Sequence, residues 1–306
     1  MNVALNHAVV ALDQSEASDI VIDCLSHFKQ FGTKKLTLFT SVSVSYPGGL
    51  SESTQRKYQA RMEEYRQKLE PLGLNIEMEV RFKTNAYAPT QILKAAEEYG
   101  ADYIIIANRG HNKFRDFLLG STATELLQRC SLPVYLINLS VSDEKELKKR
   151  KLYCVKSCRQ SLQHIFYPTD FSPTADRAFS VLERLISEGT QKIKMLHVQA
   201  RGRPGTDDPD KLREFDKIDT ERLKALKKKL QDKTGAEIDI MVRHGSPSLQ
   251  ILENAKQAGA TMIIIGSQGR GYVQDLFLGG VSMQVIRKAH IPVLTVPADR
   301  NNENKY

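Results

Sequence analysis

No apolar run in this sequence approaches the ~18 residues that a membrane-spanning helix requires. The longest, such as residues 103–107 and 262–265, have only the length of a buried strand. The N-terminal segment carries no basic stretch, and Asp13 interrupts its apolar run, so a secretory leader is not expected. Cysteine is scarce, with four residues (Cys24, Cys130, Cys154, Cys158) among 306. That is too few for a disulfide framework, and reduced thiols in a cytoplasmic protein are the expectation. Two nucleotide signatures are also missing. There is no G-x4-G-K-[ST], which removes the P-loop class, and Gly269-Arg-Gly271 has Gln274 where the dinucleotide fingerprint needs glycine.

What remains is a composition of 41% hydrophobic and 26% charged residues, which belongs to globular chains, at a length of about two average domains. The net charge of +8 invites a nucleic-acid reading, but its location argues otherwise. Residues 145–159 hold seven basic side chains (Lys145, Lys148, Lys149, Arg150, Lys151, Lys156, Arg159) against Glu146 alone. One short stretch therefore carries most of the excess. With no aromatic interleaving beyond Tyr153 it reads as a solvated helical or coil linker, and nucleic acid is not an expected partner.

The chain repeats itself. His7-Ala-Val-Val-Ala-Leu-Asp13-Gln-Ser15 matches His164-Ile-Phe-Tyr-Pro-Thr-Asp170-Phe-Ser172, at an offset of 157 from Asp13 to Asp170. Residues 92–101 match 251–260, Leu118-Leu-Gly120 matches Phe277-Leu-Gly279, and Leu132-Pro-Val134 matches Ile291-Pro-Val293, all at an offset of 159. Within the first copy the hydrophobic period alternates between strand and helix. Strands are expected at 9–12, 35–44, 76–82, 103–106 and 134–137, with helices at 17–28, 52–69, 89–99 and 122–130. The second copy repeats the strands at 165–168, 192–198, 238–242, 262–265 and 293–296. Continuous apolar strands between amphipathic helices predict two α/β domains, each a doubly wound parallel sheet. The boundaries expected are 1–139 and 164–298, with a linker at 140–163 and a tail at 299–306.

In such sheets ligands bind beyond the carboxyl ends of the strands, where strand order reverses. Two features converge there in each copy: an aspartate ending the first strand, Asp13 or Asp170, and a glycine loop after the fourth. The second copy reads G-x2-G-x9-G at Gly266, Gly269 and Gly279, followed by Gly280. Glycines let backbone amides close on a phosphate, and a helix start adds unpaired N–H groups and a positive dipole end.

At these residues the sequence resembles the universal stress protein family, and its tandem two-domain members in particular. The resemblance covers both copies. It implies a Rossmann-like, adenine nucleotide alpha hydrolase-like fold, with the two domains related by a pseudo-twofold and paired through their last strands. It further implies an adenine nucleotide (ATP, ADP or AMP, with or without Mg) as ligand. Asp170 would face base and ribose, Val198 would pack on adenine, and Gly266, Gly269 and Gly279 would line the phosphates. Gly280 stands where the family has serine or threonine. In the first copy Asp13, Gly110, Gly120 and Ser121 match, whereas Ala107 replaces the first glycine and Ser41 takes the adenine position. Ala107 is tolerable there only if its φ is negative. The second copy is thus expected to be the better pocket. The function implied is a cytoplasmic stress-response sensor or regulatory module with no catalytic residues and at most slow ATP hydrolysis. The alternative is a protein-interaction scaffold with degenerate sites. Homodimerisation and protein partners stay open.

Simpler readings stand beside these. Asp13 and Asp170 suit helix N-caps, and Ser121 with Thr122-x-x-Glu125 suits a capping box. Cys154-x3-Cys158 with His164 fits no standard zinc finger, so no metal site is expected. His197, near the end of a strand, reads as structural.

Overall fold

The computed structural model describes residues 4–109, 119–142, 151–154, 158–200, 209–269 and 278–298. The chain divides into two compact units, one formed by Val3–Arg159 and the other by Gln160–Tyr306 with the first two residues. In the first unit the order is β1 (His7–Ala11), α1 (Glu16–Leu25), β2 (Lys35–Val44), α2 (Glu52–Leu69), β3 (Asn75–Thr84), α3 (Ala88–Glu98), β4 (Tyr103–Ala107), α4 (Ser121–Arg129) and β5 (Val134–Ile137). Two short strands follow, β6 (Leu139–Val141) and β7 (Leu152–Cys154). The second unit runs β8 (His164–Pro168), α5 (Pro173–Ile186), β9 (Lys192–Gln199), α6 (Pro209–Gln231), β10 (Glu237–His244), α7 (Pro247–Gln257), β11 (Met262–Gly266), α8 (Gly280–Lys288) and β12 (Val293–Val296).

Each unit is built on five parallel strands. The order is β5-β4-β1-β2-β3 in the first and β12-β11-β8-β9-β10 in the second. Central strands β4 and β11 are buried along their whole length, which is why their sequences, YIIIA and MIIIG, show no polar alternation. Strands β3 and β10 each have one sheet neighbour and carry charged residues. In each unit β1 or β8 lies between two strands reached by opposite windings of the chain. The crevice at the carboxyl ends of β1 and β4, or of β8 and β11, is therefore the topological switch point.

Packing beneath the sheets is aromatic in part. Phe28 stacks on Phe31 with ring centres 4.9 Å apart and meets Tyr135 edge-on at 4.8 Å, while Tyr167 lies 5.8 Å from Phe179. Helix α1 stops at Leu25 and not at residue 28, since Phe28–Phe31 turn into a 3-10 segment that ends on Gly32 at φ 77°. The remaining strand and helix limits fall within two residues of the hydrophobic pattern.

Two expectations about residues 140–163 are corrected. The described parts of the linker are not bare coil, because β6 and β7 pair antiparallel from Leu139↔Cys154 to Val141↔Leu152. The backbone N–H of Leu152 also donates to Glu16 Oε1 on α1, at 3.1 Å. Nor are all thiols reduced: Cys24 is disulfide-bonded to Cys158, their Cα atoms 5.3 Å apart, leaving Cys130 and Cys154 free. Tertiary packing of β7 against α1 creates this proximity, which cysteine spacing along the chain could not reveal. Residues 143–150, 155–157 and the tail 299–306 lie outside the described set. Among the described residues no helix is long and apolar enough to cross a membrane.

Candidate functional site

At the switch point of each unit the chain leaves the first strand through an aspartate, then a left-handed residue, then a serine that starts the helix. The left-handed residues are Gln14 at φ 59° and Phe171 at φ 58°. Neither is glycine, so each turn holds a conformation costing on the order of 1 kcal/mol. The serines do the capping: Ser15 Oγ accepts from the Ala17 N–H and Ser172 Oγ from the Ala175 N–H, both at 3.2 Å. The aspartates are therefore not the N-caps. Asp13 Oδ1 instead accepts from the Ser15 N–H (3.0 Å), the Ser15 hydroxyl (2.6 Å) and the Ser18 hydroxyl (2.9 Å). Asp170 Oδ1 accepts from the Ser172 N–H at 3.1 Å.

The glycine loops close in the same way twice. Gly120 N–H donates to Asn108 O at 2.8 Å, and Gly279 N–H donates to Ser267 O at 2.7 Å. This bond closes the base of the loop in both copies. It also brings the strand end so close that an added Cβ would sit 3.2 Å from Asn108 O at Gly120, and 3.5 Å from Ser267 O at Gly279. Gly120 and Gly279 are themselves the N-caps of α4 and α8, and neither cap has a side-chain hydrogen bond. The capping box anticipated at Ser121 is consequently not formed. Ser121 is the first helical residue, and Glu125 takes Arg129 (2.8 Å) and the Tyr87 hydroxyl. The first intrahelical bonds are Thr124 N–H to Gly120 O and Met283 N–H to Gly279 O. The amides ahead of them have no partner within the helix and start at the cleft wall.

Each switch point opens into a cleft. That of the first unit has a volume of about 370 Å³ and is lined by Asp13, Ser41, Asn108, Arg109, Gly120 and Ser121 among others. That of the second has about 320 Å³ and includes Asp170, Val198, Gly266, Gly269, Gly279 and Gly280 in its wall. Both fall in the range of small-molecule sites. Nine of the ten residues singled out from sequence are described, and each lines the cleft of its own unit. The tenth, Gly110, lies outside the described residues, as do 111–118 and 270–277. Val198 and Ser41 sit within β9 and β2, not beyond them. Ser41 Oγ is buried and has no hydrogen-bond partner in the described structure.

Two further glycines are constrained by space. At Gly269 a Cβ would lie 2.6 Å from Asp170 Oδ2, so the carboxylate occupies the place of a side chain. At Gly266 a Cβ would meet Thr174 Cγ2 at 3.0 Å and the backbone of Thr174 and Ala175 at 3.1–3.2 Å. The first copy carries Ala107 there. It lies in β4, outside the left-handed region, and Ala17 occupies the position of Thr174. Gly280, by contrast, has open space where its side chain would be.

Arg109 and Gln268 were not anticipated, although both reach the clefts from between the two motif positions that precede the spacer. His197 is fully buried in β9. Its Nδ1–H donates to Thr169 O at 2.7 Å, and its Nε2 lies 3.3 Å from Asp219 Oδ2 on α6. Phe171 covers the ring at 4.7 Å and is itself covered by the Arg222 guanidinium at 3.8 Å. This stack pins the end of β8 to β9 and α6.

Comparison with known proteins agrees with these geometries. The family model described as the universal stress protein family matches residues 5–138 and again 161–297. A universal stress protein of Mycolicibacterium smegmatis is 26% identical over 305 residues, covering 94% of this chain and 96% of its own. A universal stress protein of Methanocaldococcus jannaschii is 30% identical over 151 residues, covering 43% of this chain and 93% of its own. Among solved structures, a universal stress protein from Archaeoglobus fulgidus covers 97% of this chain and 98% of its own at a TM-score of 0.67 and 22% identity, a likeness of fold. With two matched segments that together span most of its length, each a doubly wound sheet with the glycine loop at its switch point, the chain belongs to the universal stress protein family as a tandem two-domain member.

Proposed function

We infer that this protein binds an adenine nucleotide in its switch-point clefts and acts as a stress-response sensor or regulatory module. One observation supports the reading above the others: in both units a helix start N-capped only by glycine, with no side-chain cap, shares a cleft of small-molecule size with the aspartate that follows the first strand. Free amides at a helix start suit phosphate, and a carboxylate acceptor suits ribose hydroxyls or the adenine amine. The second cleft is the stronger candidate, because Gly266, Gly269 and Gly279 complete the glycine set and Val198 offers an apolar face. Isothermal calorimetry with ATP, ADP and AMP tests the reading. Binding in the micromolar range, weakened by Asp170→Ala more than by Asp13→Ala, is the expected result. An absence of heat for all three nucleotides at high micromolar concentration overturns it.

A further inference from the structure

Away from both clefts, the first unit gathers three of the four cysteines of the chain at one point. Cys24 lies in the last turn of α1, Cys154 ends β7, and Cys158 opens the 3-10 turn Cys158–Gln160. The three Sγ atoms lie within 4.8 Å of one another, and those of Cys24 and Cys154 are 3.9 Å apart. Cys24 and Cys158 are buried and form the disulfide, whereas Cys154 is a half-buried free thiol that gives the cluster an opening to solvent. The ribbon that delivers Cys154 is fixed on α1 through the Leu152–Glu16 bond and on β6 through its pairing. A disulfide alone needs two sulfurs, so the placement of the third asks for a different explanation.

We propose that in its reduced form this cluster is a three-thiolate site for a soft closed-shell cation, Cu⁺ or Zn²⁺, and that the Cys24–Cys158 disulfide is its closed state. Reduction frees the Cys24 and Cys158 sulfurs to separate; if all three sulfurs then stand 3.9 Å apart, the separation seen for Cys24 and Cys154, a cation at their centre lies about 2.3 Å from each, the zinc–thiolate distance. Soft thiolates select Cu⁺ and Zn²⁺ over harder ions. Three sulfurs satisfy trigonal Cu⁺, and Zn²⁺ would add a water on the open side at Cys154.

Opening the site requires a dithiol reductant. It passes two electrons to the Cys24–Cys158 bond, leaving as its own disulfide and giving two cysteine thiols, and the incoming cation then displaces one proton from each of three thiols. The full-length protein, reduced with dithiothreitol and desalted without oxygen, is titrated with Cu⁺ and separately with Zn²⁺ against a chromophoric chelator. One equivalent of cation per chain is expected from the reduced protein and none from the oxidised protein. Cys154→Ser should weaken binding at least ~100-fold, the upper end of the loss caused by removing even an outer partner of a metal ligand, while Cys130→Ser should not. Alkylation followed by peptide mass spectrometry on the unmutated protein gives a second readout that does not depend on a variant folding. Cation should protect Cys24, Cys154 and Cys158 together. Failure of the reduced protein to hold either cation, full binding by Cys154→Ser, or protection of fewer than three of these thiols overturns the proposal.

Discussion

Replacing Gly269 with alanine separates two reasons for glycine in the phosphate loop. The new methyl carbon would start 2.6 Å from Asp170 Oδ2, about 0.7 Å inside an ordinary carbon–oxygen contact. Gly269 is outside the left-handed region, so the strain is one of space and not of backbone. The cheapest relief is for Asp170 to swing away from the cleft, pivoting on its bond from the Ser172 N–H. A charged hydrogen bond to ligand is worth about 1.5–3 kcal/mol, so losing the carboxylate from its place should weaken nucleotide binding roughly 10- to 150-fold. Calorimetry on the wild type, Gly269→Ala, Asp170→Ala and the double variant closes a thermodynamic cycle. If alanine acts by displacing the carboxylate, it costs little more once Asp170 is already gone, and the coupling energy approaches the single-variant loss. Additive losses would refute this account, because they would place Gly269 directly against the ligand. Wild-type affinity in Gly269→Ala would refute it as well.

Three further outcomes follow from the same contacts. Gly280→Ser restores the family hydroxyl in open space, so it should leave thermal stability unchanged and tighten triphosphate binding by roughly 3- to 10-fold, the yield of one hydrogen bond, as read by calorimetry. Gly266→Ala should destabilise the second unit by about 1–2 kcal/mol in urea unfolding, and Thr174→Ala should recover part of that loss, because Thr174 Cγ2 is the nearest obstacle. The third concerns His7 and His164, which begin the first strand of each unit. Burial lowers both pKa values from 6.5, helped by Lys35 at His7 and by Lys192 and Lys194 at His164. The unfolded chain takes up these protons at a higher pH than the native chain does. Stability should therefore be full above the ordinary histidine value and fall as pH drops below it, levelling only beneath the native pKa. Glu63, Glu125 and Glu237 have pKa values lowered from 4.5 by their Arg66, Tyr87 and Lys192 partners, so their contributions are lost only at more acid pH. Urea midpoints should fall as pH is lowered from about 7 to about 5 in the wild type, and fall less when both histidines are replaced by glutamine. An unchanged slope would sink the assignment.

The parallel sheets were legible because burial on both faces leaves a mark in one dimension: YIIIA and MIIIG are apolar throughout, too short for a helix and rich in β-branched isoleucine, which together mark buried strands. The Asp-x-Ser turns were legible as helix starts, but the division of labour inside them was not. Serine or aspartate at such a turn can supply the cap, and only the positive φ of Gln14 and Phe171 swings the serine into that role. Ser121 misled for the related reason that Gly120 already ends the strand-like backbone, which makes Ser121 the first helical residue. The cysteine cluster was invisible because Cys24 and Cys158 are separated by 134 positions, and their meeting depends on a ribbon whose pairing is tertiary.

The two departures from the glycine pattern, of which the sequence marks the missing glycine at Ala107 as the more serious, are physically unlike. Ala107 stands in ordinary strand backbone, and the helix residue that crowds its counterpart is Ala17 in place of Thr174, so the extra methyl is accommodated by a smaller neighbour, both residues lining the cleft. Gly280 removes nothing from the packing, since a side chain there would meet open space, and it subtracts only a hydroxyl from the cleft. Both loops keep the Gly120–Asn108 or Gly279–Ser267 bond that sets the helix start in place. The two copies thus differ in steric fit at one position and in the absence of a side chain at the other, while the hydrogen bond that sets the helix start in place is kept in both.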